Sequence, residues 1–186
     1  MQKDTIFALS TPQGVGGVAV IRISGPQAQA ALQALFQPAG TSPMEPRKLI
    51  YGRFVFDGTQ IDDGMAVLFC APASYTGEDS AELHCHGSLA VVQQLLGALG
   101  TLPGLRPAEP GEFTKRAFLH GKMDLSQAEA VMDLIGAEGL AAARQSLSQL
   151  HGTLFAKVDG ICDALTLALA GIEAGLDFPE DDWEQA

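Results

Sequence analysis

Glu82, His84 and His86 stand two residues apart on one short segment. Asp79 to His86 reads as a strand, and a two-residue period puts all three side chains on one face. A carboxylate beside two imidazoles can hold a cation, accept ligand N–H groups or ligate a metal. A metal site lacks a third ligand at a diagnostic spacing, and a solvated strand face is the plain alternative. A second concentration of charge runs from Glu109 to Glu129, where Glu112, Lys115, Arg116, His120, Lys122 and Asp124 follow the turn dipeptide Pro110-Gly111. Ser126 with Glu129 has the spacing of a capping box opening a helix that contains Val131, Leu134 and Ile135. Such a stretch is expected as a hinge that joins an α/β part to a helical part and presents side chains to a ligand.

A third candidate is the loop Thr11-Pro-Gln-Gly-Val-Gly-Gly17, between the apolar runs Thr5 to Leu9 and Val18 to Ile23. A phosphate loop needs a helix after its glycines, whereas Val18 to Ile23 is rich in β-branched residues and reads as strand; no Gly-x-x-x-x-Gly-Lys-Ser/Thr occurs. A tight turn that lets another backbone or a ligand approach closely is the better reading.

The elements that must position these groups follow in order. Ser24-Gly-Pro26 is expected to start a helix, with Ser24 as its cap, Ala31, Leu32, Leu35 and Phe36 as its buried face and Pro38 as its end. Leu49 to Phe56 and Ile61 to Cys70 read as a hairpin around Asp57-Gly58, the second strand covered on both faces. Val91, Val92, Leu95, Leu96 and Leu99 form a helix stripe, and Leu105 to Glu109 one more strand. After Ser126 no strand signal remains. Leu147, Leu150, Leu154, Val158, Ile161, Leu165 and Leu169 recur every three or four residues, a stripe that needs partner helices, with Gly136, Gly139 and Gly152 as breaks. Pro179 is expected to end the last helix, inside a larger architecture.

Composition excludes several classes. The net charge of −11, with 11 basic residues scattered along the chain, gives no electrostatic grip on nucleic acid. Five of the 22 acids lie between Asp177 and Ala186. Three widely spaced cysteines without a Cys-x-x-Cys pair argue against a disulfide framework or a cysteine zinc site and fit a reduced cytoplasm, with Cys70 and Cys162 expected as small core residues. No apolar run approaches the roughly 18 residues of a membrane helix, and no signal peptide is read at the start.

Taken together, the motifs resemble one family. Thr11-Pro-x-Gly-x-Gly-Gly17 with Ile21-Arg-Ile-Ser-Gly25, Ser74-Tyr-Thr-Gly-Glu-Asp79 with Glu82-Leu-His-Cys-His-Gly87, the run Pro110 to Glu129, and Asp177-Phe-Pro-Glu180 look like the successive signatures of the MnmE (TrmE) tRNA modification GTPases. The likeness runs in order from Asp4 to the last residues. Gln13, Val15, Ser88 and His120 depart from the commoner residues at their positions.

The resemblance implies an α+β fold: residues 1–122 as a mixed-sheet domain similar to the folate-binding domain of aminomethyltransferases, which binds tetrahydrofolate and dimerises, and residues 123–186 as the first helices of an incomplete all-α domain. It implies a cytoplasmic protein that, with the flavoprotein MnmG, installs an aminomethyl or carboxymethylaminomethyl group on the wobble uridine of tRNA. The cofactor would be 5-formyl- or 5,10-methylenetetrahydrofolate, held by Arg22, Glu82 and Lys122, with no catalytic residue and no metal ligand in this part. GTP, magnesium and potassium would belong to a GTPase domain whose motifs are absent here, so the chain is not expected to hydrolyse GTP alone. The competing readings are a stand-alone folate-dependent aminomethyltransferase and a ligand-free dimerisation module.

Overall fold

The computed structural model describes residues 4–40 and 43–177, and the chain divides between Lys122 and Met123 into two compact units. The first unit contains β1 (Thr5–Leu9), β2 (Gly16–Ser24), β3 (Phe36–Pro38), β4 (Ile50–Phe56), β5 (Thr59–Phe69), β6 (Ser80–Gly87) and β7 (Leu105–Pro107). Three helices, α1 (Ala28–Leu35), α2 (Leu89–Thr101) and α3 (Glu112–Leu119), lie among them in sequence. The strands form one sheet in the order β3-β4-β5-β6-β2-β1-β7. Neighbours are antiparallel except β1 and β7, which run parallel. Each outermost strand has three residues and ends in a proline, Pro38 or Pro107.

The two-residue period sorts side chains between the faces. Ile21, Ile23, Phe54, Ala66, Leu68, Ala81, Leu83 and Cys85 join Leu32 and Leu35 of α1 and Val92, Leu95 and Leu99 of α2 in one buried cluster. The intervening positions carry Val20, Arg22, Glu82, His84, Met65 and Tyr51, aligned across β2, β6, β5 and β4. The β4–β5 turn has positive φ at both Asp57 (49°) and Gly58 (74°), the geometry of a tight turn that follows the strand twist.

Several expectations are corrected. Ser24 does not cap α1: it ends β2 with its hydroxyl buried on Thr76 and Glu78, and α1 starts at Ala28 without a side-chain cap. The helix also ends earlier than Pro38, because Phe36 to Pro38 is recruited to pair with β4. Met65 on β5 is 43% exposed, so that strand is covered on both faces only farther along, at Val67 and Leu68. Cys70 and Cys162 are exposed, and the buried cysteine is Cys85, whose thiol burial pushes up to about 11 with help from the Asp62 charge.

The second unit contains α4 (Leu125–Ile135), α5 (Leu140–Leu150) and α6 (Thr153–Asp177). The cap of α4 is Asp124, not Ser126: Asp124 Oδ1 accepts the Gln127 N–H at 2.8 Å while Gln127 Oε1 accepts the Asp124 N–H at 2.9 Å. Ser126 donates to the same carboxylate instead. Gly136 closes α4, Gly139 precedes α5, and Gly152, with φ of 79°, separates α5 from α6. Along α6, Leu154, Phe155, Val158, Ile161, Leu165 and Leu169 are 46–65% exposed, so no partner helix among the described residues covers the stripe. The break expected at Pro179 lies outside the described residues. No helix among the described residues is long and apolar enough to cross a membrane.

Candidate functional site

Arg22 and Glu82, 60 residues apart in sequence, are directly opposite in the β2–β6 ladder. Cross-strand partners on one face have Cβ atoms about 5 Å apart, so the register alone brings these long side chains together. Arg22 Nε and Nη2 both donate to Glu82 Oε1, at 3.0 and 2.8 Å. The other carboxylate oxygen, Oε2, lies 3.3 Å from His84 Nε2, two residues along β6. The Arg22 side chain is 31% exposed and that of Glu82 17%, so the chain of three is half-buried and still reachable from solvent.

Two aromatic rings border it. The Arg22 guanidinium carbon lies 5.4 Å from the Tyr75 ring centre and 5.9 Å from that of Phe113, within the range of cation–π attraction. Tyr75 Oη is tied to Thr114 Oγ1 at 2.9 Å, which links the loop between β5 and β6 to α3.

That loop is fastened throughout. Thr76 Oγ1 is 2.6 Å from Ser24 Oγ, and Ser24 donates to Glu78 Oε2 at 2.8 Å. His120 Nδ1 meets the Thr76 carbonyl at 2.8 Å. Glu78 in turn accepts from Arg116 at 3.2 Å. Lys122, the third site residue expected from sequence, reaches the Pro72 carbonyl with Nζ at 3.0 Å. Its stem runs past Gly77, where a Cβ would stand 3.3 Å from Lys122 Cγ. Arg22 and Glu82 are thus in direct contact, whereas Lys122 joins them through the loop that carries Tyr75.

Beneath this loop lies a charge network around Arg116, whose side chain is 2% exposed. Arg116 donates to Glu112, to Glu78, and to both the carbonyl and the carboxylate of Asp4. Arg106 bridges Glu112 and Asp4 from β7. The hydrogen bonds from Arg106 bring Glu112 down to about 2 against the opposing effect of burial. For Asp4 burial acts upward, but the hydrogen bond from Arg106 and the charges of Arg116 and Arg106 outweigh it and hold the carboxyl below its ordinary value.

Farther along the same face His86 pairs with Asp62: Nδ1 is 2.8 Å from Oδ1, and the His86 N–H donates to Oδ2 at 2.8 Å. The hydrogen bond and charge of Asp62 raise the imidazole above its ordinary value. A concavity of about 430 Å³ opens here among Tyr51, Asp63, Met65, His84 and His86. A second, more apolar one of about 350 Å³ lies between the glycine loop and α2, lined by Val15, Val18, Leu89, Val92 and Leu96. Neither includes Arg22 or Glu82, but the first shares His84 with them. The described residues contain no group of three His, Cys, Asp or Glu side chains able to hold a metal.

Comparison with known proteins matches residues 5–122 to the family described as "GTP-binding protein TrmE N-terminus" and residues 125–186 to the "MnmE helical domain". The chain belongs to the MnmE (TrmE) family. It is 49% identical over 181 residues to the tRNA modification GTPase MnmE of Parvibaculum lavamentivorans, covering 96% of this chain and 41% of that protein. The MnmE of Natranaerobius thermophilus is 44% identical over 185 residues, 98% of this chain and 40% of that one. The rat mitochondrial 5-taurinomethyluridine-[tRNA] synthase subunit GTPB3 is 48% identical over 178 residues, 96% of this chain and 36% of that one. The chain therefore spans about two fifths of the length of the curated relatives it matches.

The MnmE motifs acquire separate structural tasks in this chain. In Ile21-Arg-Ile-Ser-Gly25 the isoleucines enter the core, Arg22 faces the other way, Ser24 holds the loop, and Gly25 takes φ of 130° where a Cβ would stand 2.8 Å from the Asp4 carbonyl and Thr5 Cα. In the glycine loop, the close approach expected is that of two backbones: a Cβ on Gly87 would stand 2.5 Å from the Gly16 carbonyl oxygen. Of the residues around Arg22 and Glu82, His84 is marked in the sequence by its two-residue offset from Glu82, whereas Tyr75 and Phe113 carry no such mark. Tyr75 and Phe113 reach Arg22 from a loop and a helix far away in the chain, and no local pattern encodes that meeting.

Proposed function

We propose that the first unit binds a one-carbon tetrahydrofolate through Glu82, Arg22 and Lys122, and that the chain is the N-terminal part of a tRNA modification GTPase. The observation that carries this reading is the cross-strand Arg22–Glu82 pair beside two aromatic rings, in a chain of this family. The residues suit the group. A pterin offers an amino group and a ring N–H that a carboxylate accepts as a pair, and its flat ring suits Tyr75 and Phe113. Cations suit its carbonyl edge and the carboxylate tail, which Arg22 and Lys122 supply. The bound folate would contribute a one-carbon unit; the chain's own part is to bind and orient it.

On this reading the complete protein acts in the cytoplasm with MnmG on the wobble uridine of tRNA, forming 5-carboxymethylaminomethyl or 5-aminomethyl uridine. The names of the relatives, tRNA modification GTPases and a tRNA 5-taurinomethyluridine synthase subunit, support a role in tRNA modification. GTP, with magnesium and potassium, would be handled outside these 186 residues. The first unit would also join two copies into a homodimer.

Calorimetric titration with 5-formyltetrahydrofolate tests the site. Glu82→Ala is expected to weaken binding at least tenfold and Lys122→Ala to weaken it less, because Lys122 is exposed. Unchanged affinity in Glu82→Ala would sink the assignment.

A further inference from the structure

We infer that Arg22 occupies a seat built for the guanidine-like edge of a planar ligand, and that binding exchanges that edge for the Arg22 guanidinium on Glu82. The inference rests on the folate reading for the identity of the ligand.

Every part of the seat is already engaged. Glu82 Oε1 takes two N–H groups of Arg22, and Oε2 faces His84. A carboxylate offers about four acceptor positions, so a two-point contact from a ligand needs Arg22 to leave Oε1. The 2-amino-4-oxo edge of a pterin sets an N–H and an NH2 on either side of a shared carbon. That is the donor arrangement of a guanidinium fork, and it can take over the same carboxylate.

The walls already fit such a group. Tyr75 and Phe113 border the Arg22 guanidinium, and both rings serve equally as flat surfaces for a conjugated heterocycle. Tyr75 is fixed through Thr114, and Glu82 is the more enclosed partner of its pair. Arg22 is more exposed than Glu82 or His84 and is released to water or to the ligand's anionic tail at the least cost of the three. A fused ring is larger than a guanidinium, and the room for it lies beside His84, where the concavity bordered by Tyr51 and Met65 begins.

The test uses the 186-residue protein, Arg22→Ala, and Arg22→Met as a variant that keeps the side-chain stem should the first misfold. In either variant, ethylguanidinium is expected to shift the ring NMR signals of Tyr75 and Phe113 at least tenfold more readily than in the unmodified protein, and Glu82→Gln added to it is expected to abolish the response. The uncharged fragment 6-hydroxymethylpterin, which lacks the carboxylate tail, is expected to bind the Arg22 variants about threefold or more tighter than the unmodified protein and to be lost in Glu82→Gln. No ethylguanidinium response in a folded Arg22 variant overturns the seat. Pterin affinity that falls in the Arg22 variants as far as in Glu82→Gln overturns the exchange, since Arg22 would then hold the pterin ring itself and not only the anionic tail. A guanidinium response with no pterin or 5-formyltetrahydrofolate binding in any protein upholds the seat and refutes the folate reading.

Discussion

Glu112 and Arg116 stand one helical turn apart on α3, joined by N–H···O contacts of 3.0 and 3.3 Å, with 3% and 2% of their side chains exposed. Around them Asp4, Glu78 and Arg106 complete the network, and no buried side-chain nitrogen or oxygen among the described residues lacks a partner. The network ties the start of β1, the strand β7, the loop of Tyr75 and the helix of Phe113 to one another. Both rings beside Arg22 are therefore placed by buried electrostatics, not by local sequence.

Removing one partner from such a network leaves buried charge uncompensated. Arg116→Met is expected to destabilise the first unit by about 3–5 kcal/mol in urea unfolding. Arg53→Ala, a cation on the exposed part of β4, should stay within about 0.5 kcal/mol.

Acid should act through the same residues. Glu112, brought down to about 2 from an ordinary 4.5, binds protons more weakly folded than unfolded. Its contribution is full above about pH 4.5 and lost as the pH falls toward 2; Asp4, also lowered, adds loss in the same direction. Urea midpoints measured from pH 6 to pH 3 should fall, and Glu112→Gln should start lower but fall less steeply.

Gly87 and Gly17 should behave oppositely. A Cβ on Gly87 meets the Gly16 backbone at 2.5–3.0 Å, whereas one on Gly17 meets nothing within 4 Å. Gly87→Ala is expected to cost about 1–3 kcal/mol in thermal or urea unfolding, and Gly17→Ala to stay within about 0.5 kcal/mol.

For α4 the decisive residue is the acid. Asp124→Ala should remove about 1 kcal/mol of capping and speed amide exchange at Gln127 about fivefold. Ser126→Ala, which loses only a donor to that carboxylate, should change the exchange less.

Much of the sheet was legible because alternation is local. The apolar run Thr5 to Leu9 coincides with β1, and Asp57-Gly58 turns the β4–β5 hairpin as its residue types predict. Recruitment of Phe36 to Pro38 was not legible, since a three-residue strand exists only by virtue of its neighbour β4. Ser24 and Ser126 both looked like caps because the hydroxyl signal is the same whether its partner is a helix N–H or, as here, a carboxylate. Arg22 and Glu82 were reached through family motifs; their pairing needed the β2–β6 register, and the partners Tyr75 and Phe113 needed the tertiary fold.

The two three-residue outer strands bear on association. Each presents little backbone, and its last residue, Pro38 or Pro107, has no N–H to give. Among the described residues, strand-for-strand recruitment of another chain, whether into an extended intermolecular sheet or an aggregate, finds only a short template in either outer strand. Side chains on the faces therefore offer a second copy more to dock on than these outer strands do, and affinity gained there would respond to point substitutions on the faces.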